Sequence, residues 1–273
     1  MSFRPIIPYS GLPGWTFLER TSAAQRSAFV KSGEMTRDAE YFRAHAASLR
    51  TADDLVNDRR MLKVALGAFG LSDDIDNRYF LKKVLEDGTL SAGALANKLS
   101  DKRYLEFSKA FGFGDFAIPR TQLSDFADKI IVAYQTQSFE TAVGEQNNEL
   151  RLAMNAARNL PEIAKGAQSD NAKWYRIMSS PPLRQVIQTA FGFPSSFVGL
   201  DLDQQLAALK DASERYLGTS IAADFGDTEV RENLIRLFLV RSDVSGTAPG
   251  LSGQRAALSL FQAGATARIS LRL

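Results

Sequence analysis

The sequence predicts an all-α, multihelical fold, and two observations carry that expectation. Ala-Phe-Gly followed by a large apolar residue occurs three times, at Ala68-Phe69-Gly70-Leu71, Ala110-Phe111-Gly112-Phe113 and Ala190-Phe191-Gly192-Phe193. Four residues before each Phe stand Ala65, Phe107 and Ile187, and one turn earlier Leu62, Tyr104 and Leu183, so each Phe closes an apolar stripe of helical period. Gly70, Gly112 and Gly192 are expected in the left-handed conformation just past a helix, with the next apolar residue folded back on the last turn as in a Schellman stop. Phe69, Phe111 and Phe191 are expected in the core. The second observation is that β-branched alternation is almost absent, which excludes a sheet protein.

Residues 1–14 carry Pro5, Pro8 and Pro13 with Gly11 and Gly14, and are expected to form an extended arm. A first helix follows with Trp15, Leu18, Ala23 and Phe29, ending near Gly33. Thr36 is expected to cap a second, whose apolar face holds Ala39, Phe42 and Ala46. Thr51-Ala52-Asp53-Asp54 is an N-cap signature leading into the first Ala-Phe-Gly helix. Ser72-Asp73-Asp74 restarts the chain, Tyr79, Phe80, Val84 and Leu85 make the next stripe, and Gly88 stops it. Ser91 is expected to cap a short helix, and Asp101 the second Ala-Phe-Gly helix.

The turn from Asp115 to Arg120, with Pro119, divides a helical body at residues 15–243 into candidate halves 15–118 and 119–243. From Leu123 to Leu160 the apolar spacing fits one or two long helices with a break at Gly144 to Asn148, closed by Pro161 and Gly166. Trp174, Ile177 and Met178 mark a short helix, and Pro182 fits the first turn of the third Ala-Phe-Gly helix. Leu202, Leu206, Leu209, Tyr216 and Leu217 mark another, and Leu234, Ile235, Phe238 and Leu239 the last. The motif phenylalanines 69, 111 and 191 lie 42 and 80 residues apart, a spacing that suits a recurring module of about forty residues. Beyond Asp243 there is no acidic residue, and the only charges are Arg255, Arg268 and Arg272. This low-complexity tail, residues 244–273, still carries Leu258, Leu260, Phe261, Ile269, Leu271 and Leu273, the pattern of a segment that docks on a protein partner.

Composition narrows the chemistry. With 273 residues the chain can enclose a sizeable core. The absence of Cys removes disulfides, thiolate metal sites and a cysteine nucleophile, and a single His cannot build a multi-histidine metal site. Thirty-three basic against 31 acidic residues, interspersed, exert no net pull toward nucleic acid or an anionic membrane. No apolar run reaches the length of a transmembrane helix. The N-terminus has prolines where a cleaved signal peptide has its apolar core, so a cytoplasmic or flagellum-associated location without a cleaved signal is expected.

The residues that could carry chemistry have simpler readings. His45 stands alone, without a second ligand or a nucleophile motif. Ser72 to Asn77 superficially suggests a calcium loop, but Gly at its sixth position and Glu at its twelfth are missing. Gly112-Phe113-Gly114 lacks the third Gly and the Lys-Ser/Thr of a phosphate cradle. Asp53 and Asp54 suit the positive end of a helix dipole. Lys173-Trp174-Tyr175-Arg176 reads as core packing with a solvated rim rather than a nucleic-acid surface.

The chain resembles a family of uncharacterised α-helical proteins found mainly in alphaproteobacteria and often encoded among flagellar genes. The likeness rests on residues 54–62 leading to Ala68-Phe69-Gly70-Leu71, and on residues 96–104 leading to Ala110-Phe111-Gly112-Phe113. Phe139-Glu140 with Gly144, Asn147 and Asn148, and Leu183 to Pro194, fit as well. The resemblance implies an all-helical fold and, by gene neighbourhood, a link to flagellar assembly or motility. The expected function is therefore a non-enzymatic structural or assembly protein with a protein partner, a flagellar component by the resemblance, and with no cofactor, metal or catalytic residue. The alternative is a small-molecule enzyme or sensor using a pocket between helices.

Overall fold

A computed structural model describes residues 3–246. Among these are thirteen α-helices, joined by turns and 3-10 segments, and no strand. In chain order they are α1 (Gly11–Val30), α2 (Gly33–His45), α3 (Ala52–Asn57), α4 (Arg59–Phe69), α5 (Arg78–Glu86), α6 (Leu95–Lys98), α7 (Arg103–Phe111), α8 (Phe126–Gly144), α9 (Asn148–Lys165), α10 (Asp170–Ser179), α11 (Pro181–Phe191), α12 (Leu202–Leu217) and α13 (Thr228–Gly246).

The spine is the α8–α9 pair. The chain reverses between them at residues 145–147, where the Asn147 side chain accepts from the Leu150 amide at 2.9 Å and caps α9. On one side α4 and α2 pack on α8; on the other α11, α13 and the 3-10 turn Ala222–Gly226 pack on α9. Gly67 lets α4 approach α8 closely, because a Cβ there would stand 2.6 Å from the Tyr134 ring. A single apolar cluster runs from Trp15 to Leu239 through residues on both sides of the turn at 115–120. Trp174, Phe42, Phe107, Phe111, Phe139, Phe225 and Phe238 are its largest fully enclosed side chains.

Several elements differ from their sequence expectation, each for a local reason. The expected arm is shorter than 1–14, since α1 begins at Gly11. The extended part is held down: the Ile6 amide donates to Gln25 Oε1 at 2.7 Å, Gln25 Nε2 donates back to the Ile6 carbonyl at 3.1 Å, and Gln146 Nε2 donates to the Pro5 carbonyl at 2.7 Å. Gln25 takes a buried place on α1 because these bonds satisfy it, and Ala23 faces solvent instead. Ser32, not Thr36, stands at the start of α2, and Thr36 lies inside the helix. Tyr79 is 85% exposed, since the stripe of α5 is Leu81, Val84 and Leu85, and Tyr79 lies about 200° around the helix from Leu81. Ala94, not Ser91, precedes α6. Pro161 lies inside α9 rather than ending it; Ile163 and Ala164 are buried beyond it. On α12, Leu202 and Tyr216 are exposed while Leu206 and Leu209 are buried. The last helix runs to Gly246, three residues past the expected end of the body.

Other local signals operate in part as the sequence suggests. Thr51 and Asp54 form a reciprocal capping box, but on α3, which ends at Asn57, and Asp58 caps the Ala-Phe-Gly helix α4 separately. Lys102, not Asp101, stands at the start of α7, although Asp101 Oδ1 accepts from the Arg103 amide at 2.9 Å. Pro181 and Pro182 open α11.

Candidate functional site

The three Ala-Phe-Gly ends are stops. Gly70, Gly112 and Gly192 have φ of 68°, 69° and 73°, the left-handed region in which a Cβ is strained. At the first, the Leu71 amide donates to the Leu66 carbonyl at 2.9 Å and the Gly70 amide to the Gly67 carbonyl at 3.3 Å; at the third, Phe193 donates to Gln188 and Gly192 to Thr189 at 2.9 and 3.1 Å. Both are Schellman motifs. The second is not: Gly112 makes a single bond to the Ser108 carbonyl at 2.9 Å, the simpler left-handed stop. Phe111 and Phe191 are buried, while Phe69 is only half-buried, its ring edge-on to Phe107 at 5.5 Å.

An arginine meets each stop, where carbonyls are left over and the helix dipole is negative. Arg103 of α7 donates to the Gly70 carbonyl, and Arg241 of α13 to the Ala190 carbonyl. At the second stop Arg120 lies 5.2 Å over the Phe116 ring, and both side chains crowd Gly112.

Beyond the second and third stops, apolar side chains face solvent. Asp115 accepts from the Thr89 hydroxyl at 2.8 Å and from the Leu90 amide at 3.1 Å, which ties the Leu90 backbone to the turn that carries Phe116 and Ile118. All three are exposed. After Gly192, the 3-10 turn Ser195–Gly199 buries Phe197 and turns Val198, Leu200 and Leu202 outward.

A charged groove of about 410 Å³ lies between α1, α9 and α13. Glu140, on α8, is almost fully buried and receives Arg158 through two bonds, Nε to Oε1 at 2.7 Å and Nη2 to Oε2 at 3.0 Å. Trp15 Nε1 donates to Glu232 Oε2 at 3.2 Å. Burial, then the facing Glu232 carboxyl, raises the Glu19 carboxyl above its usual range. Arg26 sits 5.7 Å from the Phe139 ring centroid. The groove thus sets a carboxyl pair among three arginines, Arg26, Arg158 and Arg231, an arrangement able to hold an amine or to move a proton. Sequence reasoning missed it, because Trp15, Glu140 and Glu232 come from three distant helices.

A second, wider depression of about 680 Å³ holds Tyr41, His45, Asp53, Asp54 and Asp58. Its polar groups are committed to the fold: Asp53 pairs with Lys82 at 2.6 Å, Asp54 closes the capping box, and Asp58 accepts from the Arg60 and Met61 amides and from Tyr41 Oη. His45 stacks on Tyr41 at 4.2 Å with Nδ1 2.8 Å from the Tyr41 carbonyl. Among the described residues no group of three or more His, Asp or Glu is placed to hold a metal. Trp174 is fully buried and donates Nε1 to the Ser220 carbonyl at 3.0 Å, while Lys173, Tyr175 and Arg176 reach carbonyl or carboxylate partners around it. The tail residues Leu258, Leu260, Phe261, Ile269, Leu271 and Leu273 lie outside the described residues.

A family model for a protein of unknown function, DUF1217, matches residues 68–229, more than half of the chain. The chain belongs to this family. The DUF1217 span holds all three Ala-Phe-Gly stops and both exposed turns, together with Glu140 and Arg158, whereas Trp15, Glu19, Arg26 and Glu232 lie outside it. The fold is similar to the crystal structure of a protein from Agrobacterium tumefaciens determined by a structural genomics consortium. The two share 26% identity at a TM-score of 0.71, covering 89% of this chain and all of that one. No curated protein matches the chain. Among the described residues no helix is long and apolar enough to cross a membrane.

Proposed function

We propose that the protein is a non-enzymatic structural or assembly component linked to the bacterial flagellum, either cytoplasmic or carried to the flagellum without a cleaved signal. The observation that carries this reading is the pair of exposed apolar turns, each following a helix stop whose phenylalanine is buried. Large apolar side chains clustered on ordered surface turns are the usual mark of protein contact. The flagellar part rests on the resemblance to proteins encoded among flagellar genes. In the same reading the tail residues Leu258, Leu260, Phe261, Ile269, Leu271 and Leu273 add a docking segment for a flagellar partner. Deleting the gene in a flagellated host is expected to impair swimming, and deleting residues 245–273 to impair it as severely. Normal swimming in both strains overturns the flagellar role, and normal swimming in the tail deletion alone returns the contact surface to the helical body.

The second reading, a small-molecule enzyme or sensor, is favoured by the charged groove between α1, α9 and α13. Glu232→Gln leaves the groove's shape in place while removing one carboxylate of the pair. Unimpaired swimming with this variant, beside a non-swimming deletion strain, supports the assembly reading; a variant that folds normally yet swims like the deletion supports the groove.

A further inference from the structure

The groove between α1, α9 and α13 carries charge that the fold does not use. Of its three arginines, Arg158 is committed to Glu140 through two bonds, and Arg231 to the Phe225, Gly226 and Asp227 carbonyls and the Thr228 hydroxyl. Arg26 is different. It is half-buried with its guanidinium 5.7 Å from the Phe139 ring centroid, and among the described residues it makes no ion pair. On the acidic side, Glu19 and Glu232 hydrogen-bond to each other, which two carboxyls do through one proton held between them. Neither makes an ion pair among the described residues; Arg236, one turn along α13 from Glu232, acts on Glu19 from beyond contact distance. Glu19 is exposed and Glu232 half-buried, so the pair is open to a ligand.

The uncommitted groups are thus a carboxyl pair and a guanidinium, and both line one cavity of about 410 Å³, the size of a small-ligand site. Glu19 and Arg26 are seven residues apart on α1, two turns and about 10.5 Å along its axis. Leu18, Met154 and Ala157 add an apolar lining. We propose that this groove binds a small zwitterion whose ammonium and carboxylate are held apart by a chain, as in an ω-amino acid or a short peptide. The ammonium lies between Glu19 and Glu232, where its three donors replace the shared proton, which leaves to solvent. The carboxylate lies on Arg26, whose planar fork matches it. An α-amino acid, with both charges on one carbon, is short for a site whose charged ends stand two helical turns apart. The proposal rests on the second reading above, that the groove is a ligand site, and adds the chemistry of the ligand.

Isothermal titration of the full chain with ε-aminocaproate tests this. A Kd of about 1 mM or tighter is expected, with n-hexylamine, hexanoate and glycine at least about tenfold weaker, since each lacks one charge or the span between them. Glu19→Gln is expected to weaken ε-aminocaproate and hexylamine alike. Arg26→Met is expected to bring ε-aminocaproate down to the level of hexylamine while leaving hexylamine unchanged. Circular dichroism melts matching the parent establish that both variants are folded. Triglycine carries the same two end charges, and whichever of it and ε-aminocaproate binds more tightly names the source, peptide or amino acid. A parent that binds neither up to about 10 mM, one that binds hexylamine as tightly, or an Arg26→Met variant that keeps the preference for the zwitterion overturns the proposal. Titration reads the chemistry of the ligand, and the swimming of Glu232→Gln reads whether the groove is used at all, so either can fail without the other.

Discussion

The first and second Ala-Phe-Gly stops share a sequence motif and a glycine φ within one degree of each other, yet they are finished differently. At Gly70 the stop is a Schellman motif sealed by Arg103, 33 residues further along the chain, and its Phe69 is half-buried. At Gly112 a single bond ends the helix, the sealing side chains are the nearby Phe116 and Arg120, and Phe111 is wholly enclosed among Phe107, Phe113 and Phe126. The local motif decides where a helix ends. Tertiary packing decides how much that end contributes to stability.

Truncating the two phenylalanines tests this most strongly. Phe111→Ala is expected to lose about 3–5 kcal/mol in urea denaturation, and Phe69→Ala about 1–2 kcal/mol, because its ring is only partly enclosed. Equal losses would erase the distinction.

The first stop has a further anchor. Asp38 of α2 accepts from Lys63 of α4 at 2.8 Å, from Tyr134 of α8 at 3.0 Å and from Arg60 at 3.4 Å. Burial by itself would raise this carboxyl, but the bonds from Lys63, Tyr134 and Arg60 outweigh it and hold the group below its ordinary 3.8. A carboxyl depressed in the folded state contributes stability that is complete above its unfolded value and fades as pH falls through the lower folded value. Asp38→Asn should therefore cost about 2–3 kcal/mol at neutral pH, since the Lys63 ammonium loses its buried partner. Its stability should also fall less steeply than the parent's below about pH 4. A variant with the parent's acid limb would remove Asp38 from the account.

Alanine at the glycines gives a smaller contrast. Gly70→Ala is expected to cost about 1–2 kcal/mol for the left-handed backbone alone, because its Cβ would find its nearest neighbour at 3.5 Å. Gly112→Ala should cost more, since its Cβ would stand 2.9 Å from the Phe116 ring. Thermal melts that rank the two in the opposite order contradict the crowding at the second stop. The smallest effect belongs to the arginine seal: Arg103→Met should lose about 1 kcal/mol, as a charged hydrogen bond on a partly exposed side chain. Hydrogen exchange at the Gly70 and Leu71 amides should rise in this variant while that at Gly112 stays as in the parent.

The helix stops were legible because glycine's positive φ and the Phe, i−4 spacing are properties of ten neighbouring residues. The capping box at Thr51 and the break between α8 and α9 were legible for the same reason. What seals each stop was not, since Arg103 and Arg241 reach their carbonyls across 33 and 51 residues. The buried ionic groups left a signal that could have been used. Asp38 falls within the stripe Met35, Ala39, Phe42, and Glu140 stands between Phe139 and Val143. A carboxylate at a core-facing position must find a cation, and Lys63 and Arg158 are those cations. The exposed turns were hidden by an opposite ambiguity, because Phe116, Ile118 and Leu200 look like core residues when only hydropathy is read.

Among the described residues, the bond from Trp15 to Glu232 joins the first helix to the last across 217 residues. On a ribosome, α1 leaves the exit tunnel long before α13, so the part of its face that α13 covers stays wet after α8 and α9 have packed on the rest. The two ends of the body are neighbours in space, and a circular permutant that links them and opens at the 145–147 reversal keeps the same core while making the α1–α13 contact local. Such a chain exchanges one long-range contact for another, since α1–α13 becomes local while α8 and α9 come to stand at its two ends.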